Sequence, residues 1–230
     1  MKYKAVFFDR DGTLTYGDPE ILAWRDKAIE GWSGKPFSLS YERMMGLFQK
    51  ASGGDSPWHA WYKNIDEERD FYKRYYVYLL RDEGVDEDVE ARAKLLFDAL
   101  WCNNNLLPYP ETLEVLEYFQ GKGYQMGVIS DTSPSLELTL RQAGLARYFT
   151  SFTAASLVGA GKPSPIIFGT ALAAQNVSAP ESLYVDDYDV EADGARELGF
   201  TSFHLDRKNE RSGQWVIHSL TGLIDYVEKR

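Results

Sequence analysis

The apolar positions of the chain change their spacing twice. Ala5-Val6-Phe7-Phe8 is an unbroken apolar run that stops at Asp9, the pattern of a buried strand. From Pro19 to about Leu100 the spacing moves close to 3.6 residues. Ile21/Leu22/Trp24/Ala28/Ile29, Tyr41/Met44/Met45/Leu47/Phe48, Phe71/Tyr75/Tyr78/Leu79 and Val89/Ala93/Leu96/Leu100 each mark one helical face. Beyond Leu107, short apolar runs alternate with helical stretches. Strands are predicted at 124–129, 152–155, 182–185 and 200–205. Helices are predicted over Leu113/Leu116/Phe119, Leu136/Leu140, Ile166/Ile167/Ala171/Leu172 and Ala192/Ala195/Leu198, with a last one over 215–227. Strands alternating with helices predict a parallel sheet covered on both faces and joined by right-handed crossovers. The expected fold is therefore α/β: a doubly wound, Rossmann-like core made of residues 1–15 and 105–230, with a helical cap, 16–104, inserted after the first strand.

Composition narrows the class of partner. The 230 residues suffice for a sizeable core, and the net charge of −10 is spread over the whole chain. The helical block holds 12 basic against 17 acidic residues and the remainder 13 against 18, so neither offers a basic face to nucleic acid. No apolar run approaches the roughly 20 residues of a spanning helix, and the run after Met1 stops at Asp9, too early for a signal peptide. A cytoplasmic protein, monomer or homodimer, with no membrane partner is expected. Cys102 is the single cysteine, which excludes an internal disulfide; in Leu100-Trp101-Cys102-Asn103 it reads as a small buried filler. The break at Ser52-Gly53-Gly54-Asp55-Ser56-Pro57 joins two helices or presents the following Trp58-His59-Ala60-Trp61-Tyr62-Lys63 to a substrate.

Candidate chemistry sits where the strands end. Asp9 and Asp11 close the first run beside Gly12 and Thr13. Ser130 follows the 124–129 strand, Lys162 lies in the loop Gly159-Ala160-Gly161-Lys162-Pro163, and Asp186/Asp187 close Tyr184-Val185. In a parallel sheet these ends open on one edge, the edge where α/β proteins bind ligands. Each station alone has a plain structural reading, as a turn, a helix cap or a solvated lysine. Paired carboxylates repel one another unless a cation or a proton intervenes, so Asp9/Asp11 and Asp186/Asp187 call for a metal or a division of acid and base roles. Asp189, Glu191 and Asp193 read as the acidic first turn and solvent face of the next helix. Together the stations suit phosphoryl transfer with Mg²⁺, a hard ion that prefers carboxylate oxygen.

Phe8-Asp9-Arg10-Asp11-Gly12-Thr13, Val128-Ile129-Ser130-Asp131, Gly161-Lys162-Pro163-Ser164-Pro165 and Val185-Asp186-Asp187 with Gly194-Ala195-Arg196 resemble, in that order, the four motifs of the haloacid dehalogenase-like superfamily. The helical insert resembles the C1-type cap of that superfamily. Two departures stand out: Arg10 replaces the more common apolar residue, and Asp186-Asp187 stands where many members have Gly-Asp with a further Asp downstream. By the resemblance, Asp9 is the nucleophile that forms an aspartyl-phosphate and Asp11 is the general acid and base. Ser130 and Lys162 hold the phosphate. Mg²⁺ is bound by Asp9, the Asp11 backbone carbonyl and Asp187, with Asp186 a second ligand or a residue behind the first.

The retained Asp11 favours a phosphatase acting on a small phosphorylated metabolite, such as a sugar phosphate or nucleotide. A phosphomutase of the same fold and a catalytically silent binding or regulatory module are the alternatives. Tyr16, Trp24, Arg25, His59 and Lys63 are the candidate substrate contacts, and 15–19 and 103–108 the candidate hinges.

Overall fold

The structure, a computed structural model, describes residues 2–54 and 57–229; Asp55 and Ser56 of the predicted glycine-rich break lie outside them. The first strand, β1 (Ala5–Phe8), is buried on both sides. It is followed by a short strand β2 (Thr15–Gly17) and four helices, α1 (Pro19–Ser33), α2 (Tyr41–Ser52), α3 (Ile65–Asp82) and α4 (Val89–Leu100). The chain returns through β3 (Leu106–Pro108) to α5 (Thr112–Gly121), β4 (Gln125–Ser130), α6 (Leu136–Gln142), β5 (Ser151–Ala154), α7 (Ala155–Val158) and α8 (Pro165–Gln175). It ends with β6 (Ser182–Asp186), α9 (Asp189–Glu197), β7 (Thr201–Leu205), β8 (Val216–Ile217) and α10 (Thr221–Glu228).

Six strands form one parallel sheet in the order β5-β4-β1-β6-β7-β8. The chain runs outward from β1 to β5 on one side and from β6 to β8 on the other, so the order reverses between β1 and β6. That crevice is where a doubly wound sheet opens for a ligand. Pleat alternation explains the two faces. Val6 and Phe8 pack with Leu116, Phe119, Leu140 and Leu223 on one side. Ala5 and Phe7 pack with Ile167, Phe168, Ala171 and Ala195 on the other. The helices α1–α4 gather around a separate cluster that includes Ile29, Leu47, Phe71, Leu79 and Leu96.

Two features differ from the sequence expectation. The segment predicted as one helix over 215–227 begins instead as β8, because Trp215 and Ile217 offer carbonyls to the His204 and Asp206 N–H groups at the open edge of β7; only Thr221–Glu228 is helical. The stretches predicted as hinges also pair: Thr15, Tyr16 and Gly17 lie opposite Pro108, Leu107 and Leu106 in an antiparallel ribbon between the sheet and the helical insertion. Among the described residues no helix is long and apolar enough to cross a membrane.

Candidate active site

Asp9 is the first residue past β1, and Asp186 ends β6, its parallel neighbour, so the crevice at the order reversal is flanked by carboxylates. Lys162 reaches them from the loop before α8, a helix that starts sharply because Ser164 accepts from the Ile166 N–H and Pro165 occupies its first turn. The Lys162 ammonium, buried to 1% exposure, donates to Asp9 Oδ1 at 2.8 Å and to Asp186 Oδ2 at 2.7 Å. A third carboxylate oxygen, Glu191 Oε2, lies 2.6 Å from the same nitrogen. Asp186 is fixed on both sides: the Tyr184 hydroxyl donates to Oδ2 and the Tyr188 N–H to Oδ1.

Glu191 corrects the reading of α9 as acidic only toward solvent. Its side chain is 16% exposed and turned to Lys162. The cause is tertiary: a Cβ on Gly194 would stand 2.3 Å from Pro163 Cβ, so only glycine lets α9 press against the Lys162 loop and carry Glu191, three residues earlier, to the ammonium. Sequence alone carries a weak signal for this, a glycine within a helix. Asp189 and Asp193 do face outward, paired with Arg211 and Arg196.

Asp187 lies on the other side of the first loop. Its N–H donates to Thr13 Oγ1 at 3.1 Å, and its carboxylate packs over Gly12, where a Cβ would fall 2.0 Å from Oδ2. Gly12 has φ of +75°, so both the backbone and the close approach require glycine. The loop is also clamped from behind, since Arg207 donates to the Gly12 and Thr13 carbonyls at 2.9 and 2.7 Å while pairing with Glu111. No sequence motif announced Arg207.

Asp11 is half exposed and held by its neighbour. Arg10 donates from Nε to Oδ1 at 3.0 Å and from Nη2 to Oδ2 at 2.7 Å. The buried Arg10 guanidinium is anchored in turn by Thr132 and Thr139. Ser130, buried, closes β4 on the same edge. Asp131, beside it, accepts from the Lys162 backbone N–H at 2.8 Å.

Burial sets the electrostatics. It pushes the Asp9 carboxyl well above the usual range, helped by Asp186 and Asp11 and opposed by Lys162. It lifts Asp187 to about 6, with Asp186 adding, and Glu191 to about 7 against the pull of Lys162. Asp9, Asp186 and Asp187 each offer an oxygen within 4.8 Å of the others, a set that could hold a hard cation.

Of the predicted substrate contacts, His59 and Lys63 come to the Lys162 side of the molecule. Lys63 Nζ donates to the His59 carbonyl within the insertion and to the Ser156 carbonyl across from it, at 3.2 and 3.3 Å. Trp58, just before, lies against Gly161, its ring 3.0 Å from where a Cβ would be. The structure does not bring Tyr16, Trp24 or Arg25 to this group. Tyr16 packs on Tyr109, Trp24 stays 40% exposed on α1, and Arg25 pairs with Asp26 over the Phe37 ring.

A second polar region joins the insertion to the sheet. Glu68 accepts from the Ser135 N–H and hydroxyl and from Trp101 Nε1, and the Tyr62 and Ser133 hydroxyls meet at 2.9 Å. Cys102 belongs here rather than to a core. It is half buried, in a left-handed conformation with φ of +46°, beside a cavity of about 220 Å³, with its thiol pushed up to about 11 by burial.

The chain and its fold have counterparts among known proteins. A family model, that of haloacid dehalogenase-like hydrolases, matches residues 3–199. The chain is 23% identical over 239 aligned residues to a glyceraldehyde 3-phosphate phosphatase of Methanocaldococcus jannaschii, covering 98% of this chain and 97% of the relative. It is 25% identical over 235 residues to a phosphoglycolate phosphatase of Vibrio parahaemolyticus, covering 97% and 96%. The fold superposes on a 2-haloacid dehalogenase of Pseudomonas syringae with a TM-score of 0.69 at 23% identity, covering 99% of each chain.

Proposed function

Because the chain belongs to the haloacid dehalogenase-like hydrolases, we propose that it is a Mg²⁺-dependent phosphatase that releases inorganic phosphate from a small phosphate monoester. The observation that carries this reading is Asp11, two residues after Asp9, at the edge where Lys162 bridges Asp9 and Asp186. Hydrolysis of a haloacid expels a halide, which leaves without a proton. A phosphate ester expels an alkoxide, which needs one, and in this reading Asp11 is the acid that supplies it. Arg10 holds the Asp11 carboxylate in place at both oxygens, each of which keeps a lone pair that can take up the proton Asp11 must carry to act as the acid, or the one it removes from water.

In this reading Asp9 attacks phosphorus in line, the P–O bond to the leaving group breaks, and Asp11 gives that oxygen its proton. Asp11 then takes a proton from the water that hydrolyses the aspartyl-phosphate, which restores Asp9 and frees phosphate. Ser130 donates to a phosphoryl oxygen, and Lys162 offsets charge on Asp9 and on the phosphoryl group.

The donor set fits a divalent cation. Both Asp186 oxygens are already held by protein donors, so Asp9, Asp187 and the Asp11 backbone carbonyl would hold the ion, with Asp186 behind them. Bound there, Mg²⁺ supplies charge neutralisation for the approach of an anion to a carboxylate nucleophile. The helical insertion acts as a cap, with Trp58, His59 and Lys63 facing the Lys162 loop.

The two phosphatase relatives are named for glyceraldehyde 3-phosphate and phosphoglycolate, and a leaving group of that size is the first to test. Phosphate release from a panel of small phosphate esters, with and without Mg²⁺, tests the reading. Turnover of at least one ester that stops on chelation is expected. Release of halide from 2-haloacids with no phosphate release from any ester would overturn it.

A further inference from the structure

The Lys162 ammonium is fully committed before any substrate arrives. It has three N–H donors, and three carboxylate oxygens stand within reach: Asp9 at 2.8 Å, Asp186 at 2.7 Å and Glu191 at 2.6 Å. A phosphoryl group that needs this ammonium must displace one of them.

The three are not equally free to leave. Asp9 sits at the end of a fully buried strand and is the attacking group of the proposed reaction. Asp186 is 1% exposed and fixed through both oxygens by Tyr184 and Tyr188. Glu191 is held differently. Among the described residues Lys162 is the one ion-pair partner of its carboxylate, and its longer side chain lies at 16% exposure in the first turn of a surface helix.

We propose that Glu191 is a place-holder: its carboxylate occupies on Lys162 the position of a substrate phosphoryl oxygen and swings out to solvent when the phosphate binds. The proposal rests on the phosphatase reading and deepens it, because it makes Glu191 a positioning residue that tunes affinity for the phosphate moiety itself. While the site waits, the third carboxylate balances Lys162 and keeps it from drawing in other anions. Once phosphate is cleaved, the same carboxylate competes to regain the ammonium and helps expel the product. Burial raises the Glu191 carboxyl to about 7 against the pull of Lys162, with Asp186 and Asp131 adding, so the hydration its ionised form regains in water offsets part of the loss of the ion pair. Gly194 is the feature that makes the arrangement possible, since it brings α9 close enough for the reach.

Inorganic phosphate is the probe. Its dissociation constant is measured by calorimetry with Mg²⁺ present for the unaltered protein, Glu191→Gln and Glu191→Ala, alongside kcat and KM for p-nitrophenyl phosphate. Both variants should bind phosphate about tenfold more tightly, the order of factor carried by one charge-assisted hydrogen bond. KM should fall in parallel. If Glu191 merely braces Lys162, both variants will bind phosphate more weakly and KM will rise. Unchanged or weakened phosphate binding in both variants overturns the place-holder while leaving the phosphatase reading intact. Absence of phosphate binding in all three proteins overturns both.

Discussion

Two regions of this molecule bury carboxylates, and they resolve the cost differently. Around Lys162, the carboxyls of Asp9, Asp131, Asp187 and Glu191 are all raised, first by burial and then by neighbouring carboxylates, because one ammonium and a few N–H groups offset only part of the cost. At the junction with the helical insertion, burial also raises Glu68, yet its two oxygens receive three protein donors, from Ser135 twice and from Trp101. A buried carboxylate with its donors in place needs nothing further. A cluster short of positive charge is stable only if something arrives to complete it. The deficit at the Lys162 edge, rather than the presence of acids as such, separates a site from a scaffold.

The strongest way to break this contrast is to remove charge at the deficient edge. Asp9→Asn should reduce turnover of p-nitrophenyl phosphate to background while the protein stays folded by circular dichroism, since an amide cannot form the acyl-phosphate. Near-normal turnover would remove Asp9 from the mechanism. Asp11→Asn should be less severe, with a loss of about 10²–10⁴ in kcat, the usual contribution of a general acid and base. The loss should shrink for esters whose leaving group is acidic enough to depart without a proton. A uniform loss over such a series would make Asp11 structural.

Much of the deficient edge was legible because it is written in strand ends. Alternation fixes which side of the sheet Phe7 and Phe8 face, and a polar residue directly after a buried strand has one place to go. Asp9, Ser130 and Asp186/Asp187 were read that way, Lys162 from the glycine-rich loop that carries it, and the helical block between β1 and the rest of the sheet from its 3.6-residue spacing. Glu191 was not, because an acid in a first helical turn is accounted for by the helix dipole, and its true direction depends on Gly194 meeting Pro163 across the fold. Glu68 and Ser135 are 67 positions apart, and neither residue type signals the other. The strand β8 escaped notice because two residues are too short to show a period.

A cation should repair the edge, and the repair should depend on pH. Asp187 rises from an ordinary 3.8 to about 6 on folding. A carboxyl raised in this way contributes stability that is complete below 3.8 and lost as pH climbs through about 6. Mg²⁺ binds the ionised form, so it offsets the loss where the proton has gone. Thermal unfolding should therefore show a Mg²⁺-induced rise in Tm that is small near pH 5 and larger near pH 7.5. Equal rises at both pH values would mean that these carboxylates do not hold the ion.

The balanced region predicts the smallest effect and the most specific one. Glu68→Gln keeps the shape but replaces one acceptor oxygen by an NH₂ group, which sets a donor against the donors of Ser135 or Trp101. Leaving such a buried donor unmet costs about 1–3 kcal/mol. Because Glu68 bonds to Ser135 and Trp101 and not to Lys162, the loss should appear in Tm and in the denaturation midpoint, with kcat of the folded enzyme changed far less than by Asp11→Asn. Asp9→Asn should show the opposite pattern, since removing one acid from an overcrowded cluster relieves repulsion as it ends catalysis. If Glu68→Gln instead lowered kcat as deeply as Asp11→Asn, the junction would be part of the reaction and the division between site and scaffold would fail.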